Sequence, residues 1–284
     1  MAQFINQAQL NYNGITRNSN IAVGEITEAL TIAKKALNGT YRAGDKVTYI
    51  ISLVNSSASP LSGITLSDDL GAYTLGATSV TPLTYVNGTA ALYINGVLQA
   101  APTVNPGPPL VFSGITIPAN SNAVLVYEAE VNIYAPLDTN GEIVNTVTVS
   151  GGGVISATTA TETITAASGP DLNITKSISP IPVSDNGTLT YTFTIQNYGN
   201  TAATAADSVV FSDTFNPVLS NITAALNGTA LTANTDYTYN ASTGLFETVA
   251  GKITVPAATF SQNPTTGEVT VTPGISTIII SGTV

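Results

Sequence analysis

An internal repeat constrains the fold of this chain more than any other feature of its sequence. Three segments occur twice in the same order: LTIAKKA at 30–36 with LNITKSI at 172–178, VTYIISLVN at 47–55 with LTYTFTIQN at 189–197, and ITLSDDL at 64–70 with VVFSDTF at 209–215. The segments alternate apolar and polar residues, which is the pattern of β-strands with one buried face. The sequence therefore predicts a tandem of one β-sandwich repeat.

The composition also favours an all-β fold. Apolar residues make up 43% of the 284 residues and charged residues only 8%, and much of the remainder is Thr, Ser, Asn and Gly. Such a composition suits pleated, half-buried surfaces better than amphipathic helices. A chain of this length can bury two separate cores. We expect a first domain over 30–165 and a second over 166–284.

Charge and residue types exclude several function classes. The net charge is −10, from 17 acidic against 7 basic residues, so we expect no nucleic-acid partner. The chain has no Cys and no His, which removes disulfides, the usual zinc ligands and the commonest general base. We expect no cofactor and no metal. No apolar run is long enough for a membrane span, and no signal peptide is visible.

The two copies of the repeat differ in their last strand. In the first copy, AVLVYEAEV ends at Val131 and is followed by a further strand, EIVNTVTVS at 142–150. In the second copy, the matching strand TIIISGTV ends at Val284, where the sequence ends. We therefore expect the second domain to lack its closing strand.

The N-terminal segment resembles the strand that the second domain lacks. FINQAQLNYNG at 4–14 matches IVNTVTVSGGG at 143–153, with Asn6 falling on Asn145. We expect a donor strand over 1–14 and a connector over 15–29. A donor strand that completes the second domain of a neighbouring subunit would build an open, head-to-tail fibre. The alternative is a flexible N-terminal tail.

Strand parity predicts which side chains enter each core. In the first domain Lys34, Asp68 and Asn145 fall on apolar faces of their strands, whereas Lys35 falls on the opposite face. The equivalent set is Lys176 and Asp213 from the second domain with Asn6 from the N-terminal strand. Each complete sandwich is therefore predicted to bury one Lys, one Asp and one Asn.

Burial of these three side chains would favour an amide cross-link. Desolvation favours the neutral amine, which is a nucleophile, and the neutral carboxylic acid. The acids, Asp68 and Asp213, would then polarise the Asn carboxamide and move protons while the Lys nitrogen attacks and ammonia leaves. We predict a bond between Lys34 and Asn145 within a chain, and one between Lys176 and Asn6 across chains. The alternative is a buried Lys–Asp ion pair with a hydrogen-bonded Asn.

These residues also carry a family resemblance. Lys34, the GDKVTY run at 44–49, Asn55, Asp68 and the VNTVTV run at 144–149 resemble a repeat domain of bacterial and archaeal surface proteins. The predicted chemistry is similar to that of the isopeptide-bearing domains of Gram-positive collagen adhesins and pilins. The resemblance implies Ig-like sandwiches, with a buried acid assisting each Lys–Asn bond. The second repeat departs from the pattern in its missing strand.

The predicted function is that of a structural subunit of an extracellular fibre, located at a cell or spore surface, whose partner is a second copy of itself. We expect no enzyme activity beyond the single-turnover formation of its own cross-links. The alternatives are an adhesin stalk or a surface-layer module that binds a host or matrix ligand.

Overall fold

The computed structural model describes residues 2–26, 29–154 and 158–284. The all-β expectation is confirmed, because the regular elements in these ranges are strands apart from one 3₁₀ helix at Ala205–Asp207. The strands form an N-terminal hairpin and two successive sandwiches, each with its own apolar core.

The N-terminal segment folds back on itself. Its strands are β1 (Ala2–Asn6), β2 (Gln9–Tyr12), β3 (Ile15–Asn18) and β4 (Ala22–Ile26). β1 pairs with β4 and β2 with β3, both antiparallel. The reversal is at Asn13-Gly14, where both residues have positive φ (46° and 77°), as two-residue hairpin turns require. We call residues 2–26 the N-terminal hairpin.

This hairpin corrects the expected division of the N-terminus. Residues 15–29 were expected to be a connector, but most of 15–26 pairs with the expected donor strand. The Asn-Gly turn explains the difference, because it returns the chain directly alongside β2. Residues 27 and 28 of the expected connector lie outside the described residues, as do residues 155–157 of the expected first domain.

Among the described residues, the first sandwich has fourteen strands in chain order: β5 (Leu30–Ala36), β6 (Thr40–Tyr41), β7 (Lys46–Asn55), β8 (Leu61–Asp68), β9 (Tyr73–Leu75), β10 (Thr78–Val80), β11 (Leu83–Tyr85), β12 (Ala91–Ile94), β13 (Val97–Leu98), β14 (Thr103–Asn105), β15 (Leu110–Ile117), β16 (Ser121–Val131), β17 (Glu142–Ser150) and β18 (Thr158–Ala166). One sheet has the order β13-β12-β16-β7-β5 and the other β14-β15-β8-β17-β18-β6. Ala166, the expected first residue of the second domain, ends β18 and packs in the first core.

The second sandwich contains ten strands: β19 (Leu172–Ser179), β20 (Thr188–Asn197), β21 (Ser212–Thr214), β22 (Ser220–Leu226), β23 (Thr229–Ala230), β24 (Tyr237–Asn240), β25 (Leu245–Thr248), β26 (Thr259–Gln262), β27 (Val269–Thr272) and β28 (Gly274–Thr283). The order β19-β20-β28-β22-β23 matches β5-β7-β16-β12-β13 of the first sandwich. The opposing sheet is much smaller, with the order β21-β25-β24.

The two sandwiches differ at one strand edge. β8 lies between β15 and β17, whereas its counterpart β21 pairs with β25 alone among the described strands. The facing sheet is also more exposed to solvent in the second sandwich. Ile174 of β19 is 48% exposed, whereas the equivalent Ile32 of β5 packs against the first core. The second sandwich therefore has an open side where β17 and β18 close the first.

A buried asparagine fastens the same loop in both repeats. Asn55 donates to the carbonyl oxygens of Ser59, Ile117 and Pro118 and accepts a bond from the Ser57 N–H. The equivalent Asn197 donates to the carbonyl oxygens of Thr201 and Pro256. In each sandwich these contacts join the end of a long strand, β7 or β20, to the loop that follows it and to a second segment farther along the chain.

A hairpin of the second sandwich reaches back to the first. β26 and β27 pair with each other, and Gln262 donates to the Tyr73 hydroxyl at 2.6 Å. The backbone N–H of Val269 donates to the Ile133 carbonyl at 2.7 Å. The two sandwiches thus contact each other through this hairpin.

Replacing Asn55 by Ala should destabilise the first sandwich by about 3 kcal/mol, because several buried backbone groups lose their partner at roughly 1 kcal/mol or more each. A fall in the urea midpoint of unfolding would measure this. The control is Asn140→Ala, which changes an exposed loop residue and should shift stability by less than about 0.5 kcal/mol. Equal midpoints for the two variants would contradict the fastening role.

Candidate functional site

Lys34 is held inside the first sandwich by the alternation of β5. This strand runs antiparallel to β7, with Lys34 opposite Ile51. Lys34 is 2% exposed, although lysine is rarely buried without a partner. The next side chain, Lys35, points outward with 76% exposure and pairs with Glu162 at 3.0 Å. Adjacent lysines on one strand therefore occupy opposite environments, as parity predicts.

Asp68 ends β8 and faces Lys34 across the core. Its Oδ1 accepts a hydrogen bond from the backbone N–H of Leu70, which fixes the carboxyl group. Its Oδ2 lies 2.7 Å from Lys34 Nζ and also accepts a bond from the Tyr127 hydroxyl at 2.6 Å. Asp68 is fully buried, so the ion pair is shielded from water.

Asn145 reaches the same place from β17. This strand pairs with β8 so that Val147 lies opposite Asp68, two residues from Asn145. The neighbouring Asp69 holds the strand in place, because its Oδ1 accepts the backbone N–H of Thr146 at 2.9 Å. The three predicted residues of the first sandwich are therefore brought together.

The Asn145 carboxamide is incompletely satisfied. Its Nδ2 donates to the Tyr127 hydroxyl at 3.4 Å, and its Oδ1 has no hydrogen-bond partner in the described structure. Asn145 is fully buried, so water does not supply the missing bond. A buried unpaired carbonyl is costly and rare, and such groups are often found at reactive sites. The carboxamide therefore differs from that of Asn55, whose bonds are filled.

Burial sets the electrostatics of the site. It lowers the pKa of Lys34, against the opposing effect of Asp68, and so favours the neutral amine. Burial also raises the pKa of Tyr127 well above its usual range, with a further increase from Asp68. Tyr127 therefore keeps its proton at neutral pH. An amine, an acid, a phenol and a carboxamide are in contact within an apolar interior.

Two tyrosines of this site were missed from the sequence. Tyr49 stacks on Tyr127 with ring centroids 5.5 Å apart, and Lys34 Nζ lies 4.9 Å from the centroid of the Tyr49 ring. Both tyrosines share the parity of the apolar residues of their strands, so each was indistinguishable from an ordinary core aromatic. One signal could have identified Tyr127: its strand places a phenol on the buried face, and another strand places the buried acid Asp68 in the same core.

The second site has the same ion pair in a different environment. Lys176 Nζ lies 2.5 Å from Asp213 Oδ2, but the side chains are 43% and 19% exposed. The expectation that both are buried is therefore wrong for the single chain, because no described strand covers them as β17 covers the first pair. In place of Tyr127, the second site has Ile280, which lies opposite Tyr191 as Tyr127 lies opposite Tyr49.

Asn6 does not reach this pair within the chain. It pairs with Ala22 in the N-terminal hairpin, and no hydrogen bond of the described residues joins it to Lys176 or Asp213. The hairpin also leaves large apolar side chains in solvent, with Phe4 53% and Leu10 63% exposed. The first Lys–Asp–Asn set is therefore assembled in the single chain, whereas in the second set Asn6 lies apart from Lys176 and Asp213.

Comparison with known proteins gives likenesses of fold. No family model and no curated protein matches the sequence. Similar solved structures include the pilus backbone RrgB of Streptococcus pneumoniae, with 14% identity, 86% of this chain and 55% of that chain covered, and a TM-score of 0.36. The chain thus spans about half the length of RrgB.

Two further similar structures are surface proteins. The major pilin subunit BcpA of Bacillus cereus is 12% identical, with 96% of this chain and 73% of that chain covered and a TM-score of 0.37. A collagen-binding domain from a Staphylococcus aureus adhesin is 14% identical, covering 47% of this chain and 96% of that chain, with a TM-score of 0.30. These three similar structures are thus two pilins and one adhesin domain.

Two other kinds of site are absent from the described residues. None of their helices has the length and apolar character needed to cross a bilayer. They also contain no group of three or more acidic side chains placed to hold a metal ion. The Lys–Asp–Asn set remains the candidate functional site.

The two lysines should differ in reactivity in the monomer. A brief treatment with an amine-acylating reagent should modify Lys176, which is partly exposed, while Lys34 stays unmodified. Peptide mass spectrometry would measure the modified fraction at each position, with the exposed Lys35 as an internal positive control. Equal modification of Lys34 and Lys35 would contradict the burial described for Lys34.

Proposed function

We propose that this chain is a structural subunit of an extracellular fibre. The N-terminal hairpin of one subunit completes the second sandwich of the next, and Lys–Asn amide bonds lock the fibre within and between subunits. One observation carries the proposal. The same Lys–Asp pair is closed over by an Asn-bearing strand in one sandwich and open in the other, while the N-terminal hairpin presents a matching Asn.

The N-terminal hairpin corresponds to the hairpin that closes the first sandwich. β17 and β18 form an antiparallel pair in which Asn145 lies opposite Glu162, and β1 and β4 form one in which Asn6 lies opposite Ala22. Both carry apolar residues at alternate positions, which the first sandwich buries and the N-terminus exposes. This correspondence favours donation of the whole hairpin rather than of one strand.

The open side of the second sandwich fits such a hairpin. β21 has a free edge among the described strands, where β8 is paired with β17. In the first sandwich Val147 lies opposite Asp68, so the same register would set Ala8 opposite Asp213. Asn6 would then stand toward Lys176 as Asn145 stands toward Lys34. Backbone pairing would supply affinity, and Phe4 and Leu10 would leave water.

Donation in this geometry is a head-to-tail contact. The donor and acceptor surfaces are at different places on the chain, so each subunit can donate to one neighbour and accept from another. Head-to-tail contacts of this type extend into filaments unless the rotation between subunits closes a ring. The partner proposed here is therefore a second copy of this chain.

The proposed bond is a transamidation that needs no other reactant. Lys34 transfers a proton to Asp68, and its neutral nitrogen attacks Cγ of Asn145. A C–N bond to Nζ forms, the C–N bond to Nδ2 breaks, and Nδ2 leaves as ammonia. Fixed neighbours react as if at effective concentrations of about 10⁵ M or more, which offsets the low reactivity of a carboxamide. In the Lys176–Asn6 pair, Asp213 would likewise take the proton of Lys176.

The intramolecular bond predicts a loss of mass. The folded chain should be lighter by one ammonia, and digestion should yield a branched peptide that joins Lys34 to Asn145. Lys34→Arg keeps a cation beside Asp68 but removes the amine, so it should abolish the loss. Lys35→Arg, one residue away on the outer face, should leave it unchanged. If the wild-type chain shows no loss of ammonia, Lys34 and Asp68 form a buried ion pair and the proposed bond is wrong.

The intermolecular bond predicts covalent filaments. Wild-type filaments should survive hot detergent as a ladder of multimers. Asn6→Ala should still assemble through strand pairing but should fall to monomers in that detergent, and deletion of residues 2–26 should prevent assembly. Asn11→Ala alters the opposite face of the same hairpin and serves as the control. Detergent-resistant multimers from Asn6→Ala at the wild-type level would exclude Asn6 as the bonded residue.

A further inference from the structure

We propose that Tyr127 is a catalytic residue of the first site: its hydroxyl delivers the proton with which Asn145 Nδ2 departs as ammonia. This inference rests on the proposed Lys34–Asn145 bond and names the group that completes its chemistry. Asp68 makes no hydrogen bond to the leaving nitrogen in the described structure, whereas Tyr127 is hydrogen-bonded to both groups.

The hydrogen bonds of the site run in a single chain. Asp68 accepts from Leu70, Lys34 and Tyr127, and no hydrogen bond joins its carboxyl group to Asn145 in the part of the chain described. Asn145 Nδ2 instead donates to the Tyr127 hydroxyl at 3.4 Å. The order of contact is therefore amine, acid, phenol and leaving nitrogen.

This order allows the protons to balance. Lys34 gives one proton to Asp68 and attacks as the neutral amine, and the Nζ of the tetrahedral adduct must then lose a second. The leaving Nδ2 carries two hydrogens and needs a third. Tyr127 gives its hydroxyl proton to Nδ2 and takes the proton held by Asp68. Asp68 in turn takes the second proton from Nζ. The products are a secondary amide, a neutral acid, an intact phenol and ammonia.

Burial leaves the first site to supply this proton from its own groups. Lys34 is 2% exposed, and Asp68, Tyr127 and Asn145 are fully buried, so solvent does not contact the leaving nitrogen. The carboxamide nitrogen leaves poorly unless it is protonated, so a positioned acid must donate the proton here. The Tyr127 hydroxyl is in hydrogen-bond contact with Nδ2. Burial raises the pKa of Tyr127, so the hydroxyl carries its proton at neutral pH.

Packing alone does not explain a tyrosine at this position. The equivalent residue of the second sandwich is Ile280, which is buried in its core beside Tyr191. The fold therefore accepts a side chain without a hydroxyl at this point. Tyr85 provides a control, because its ring centroid lies 6.3 Å from that of Tyr127 but its hydroxyl accepts a hydrogen bond from the backbone N–H of Ala90, outside the site.

The test is the rate of bond formation in the full-length chain. Wild type, Tyr127→Phe and Tyr85→Phe would be synthesised in a short pulse, quenched in denaturant at intervals and digested, and the branched Lys34–Asn145 peptide would be quantified. Loss of a general acid typically slows a reaction by about 100-fold or more, and we expect this for Tyr127→Phe. Tyr85→Phe should react at the wild-type rate.

The outcomes separate the two proposals. If the wild type forms no branched peptide, the proposed cross-link fails and the role of Tyr127 fails with it. If the wild type and Tyr127→Phe form it at the same rate, the cross-link stands and the role of Tyr127 is overturned. Equal slowing by Tyr127→Phe and Tyr85→Phe would also overturn it, because the effect would then be one of packing.

A second variant covers failure of Tyr127→Phe to fold. A fluorinated tyrosine incorporated at position 127 keeps the ring and the hydroxyl but makes the phenol more acidic. Bond formation should become faster, because the departure of the poorly leaving nitrogen depends on this proton, and the same substitution at position 85 should have no effect. An unchanged rate with fluorotyrosine at 127 would overturn the assignment.

Discussion

The pairing of β17 with β8 is the interaction on which the rest of the first sandwich depends. It gives β8 its second backbone partner, closes the core over Lys34 and Asp68, and brings Asn145 to them. Where the chain lacks this pairing, at β21, the equivalent Lys176 stays in contact with water. One strand therefore decides both whether the sandwich is closed and whether its lysine is desolvated.

Stability alone is a poor explanation for the buried ion pair. Removing two charges from water costs several kcal/mol per ion, and apolar residues of similar size often serve a core as well or better. A reactive role explains the arrangement differently. If Lys34 formed the proposed amide, the cation would disappear, and Asp68 would be left beside a neutral group that suits a protonated acid. The free-energy cost of burying the charges would then apply to the reactants and not to the product.

Much of the fold and part of the site could be predicted from the sequence, for a physical reason. Strand alternation has a period of two, so it assigns Lys34, Asp68 and Asn145 to inner faces without knowledge of the tertiary structure. Parity does not say whether a face is covered, so it failed for the open Lys176. It also does not distinguish Tyr127 from a core aromatic, because the role of the hydroxyl depends on contacts between residues far apart in sequence.

The difference between the two sites bears on when each bond could form. The first site is assembled by folding, since all of its groups belong to one sandwich. The second is open in the single chain, and water stabilises charged amines whereas burial favours the neutral nucleophile. Docking of the hairpin would supply the carboxamide and exclude the water in one step. Cross-linking between subunits would therefore follow correct docking, so that a misplaced contact stays reversible while a matched one becomes permanent.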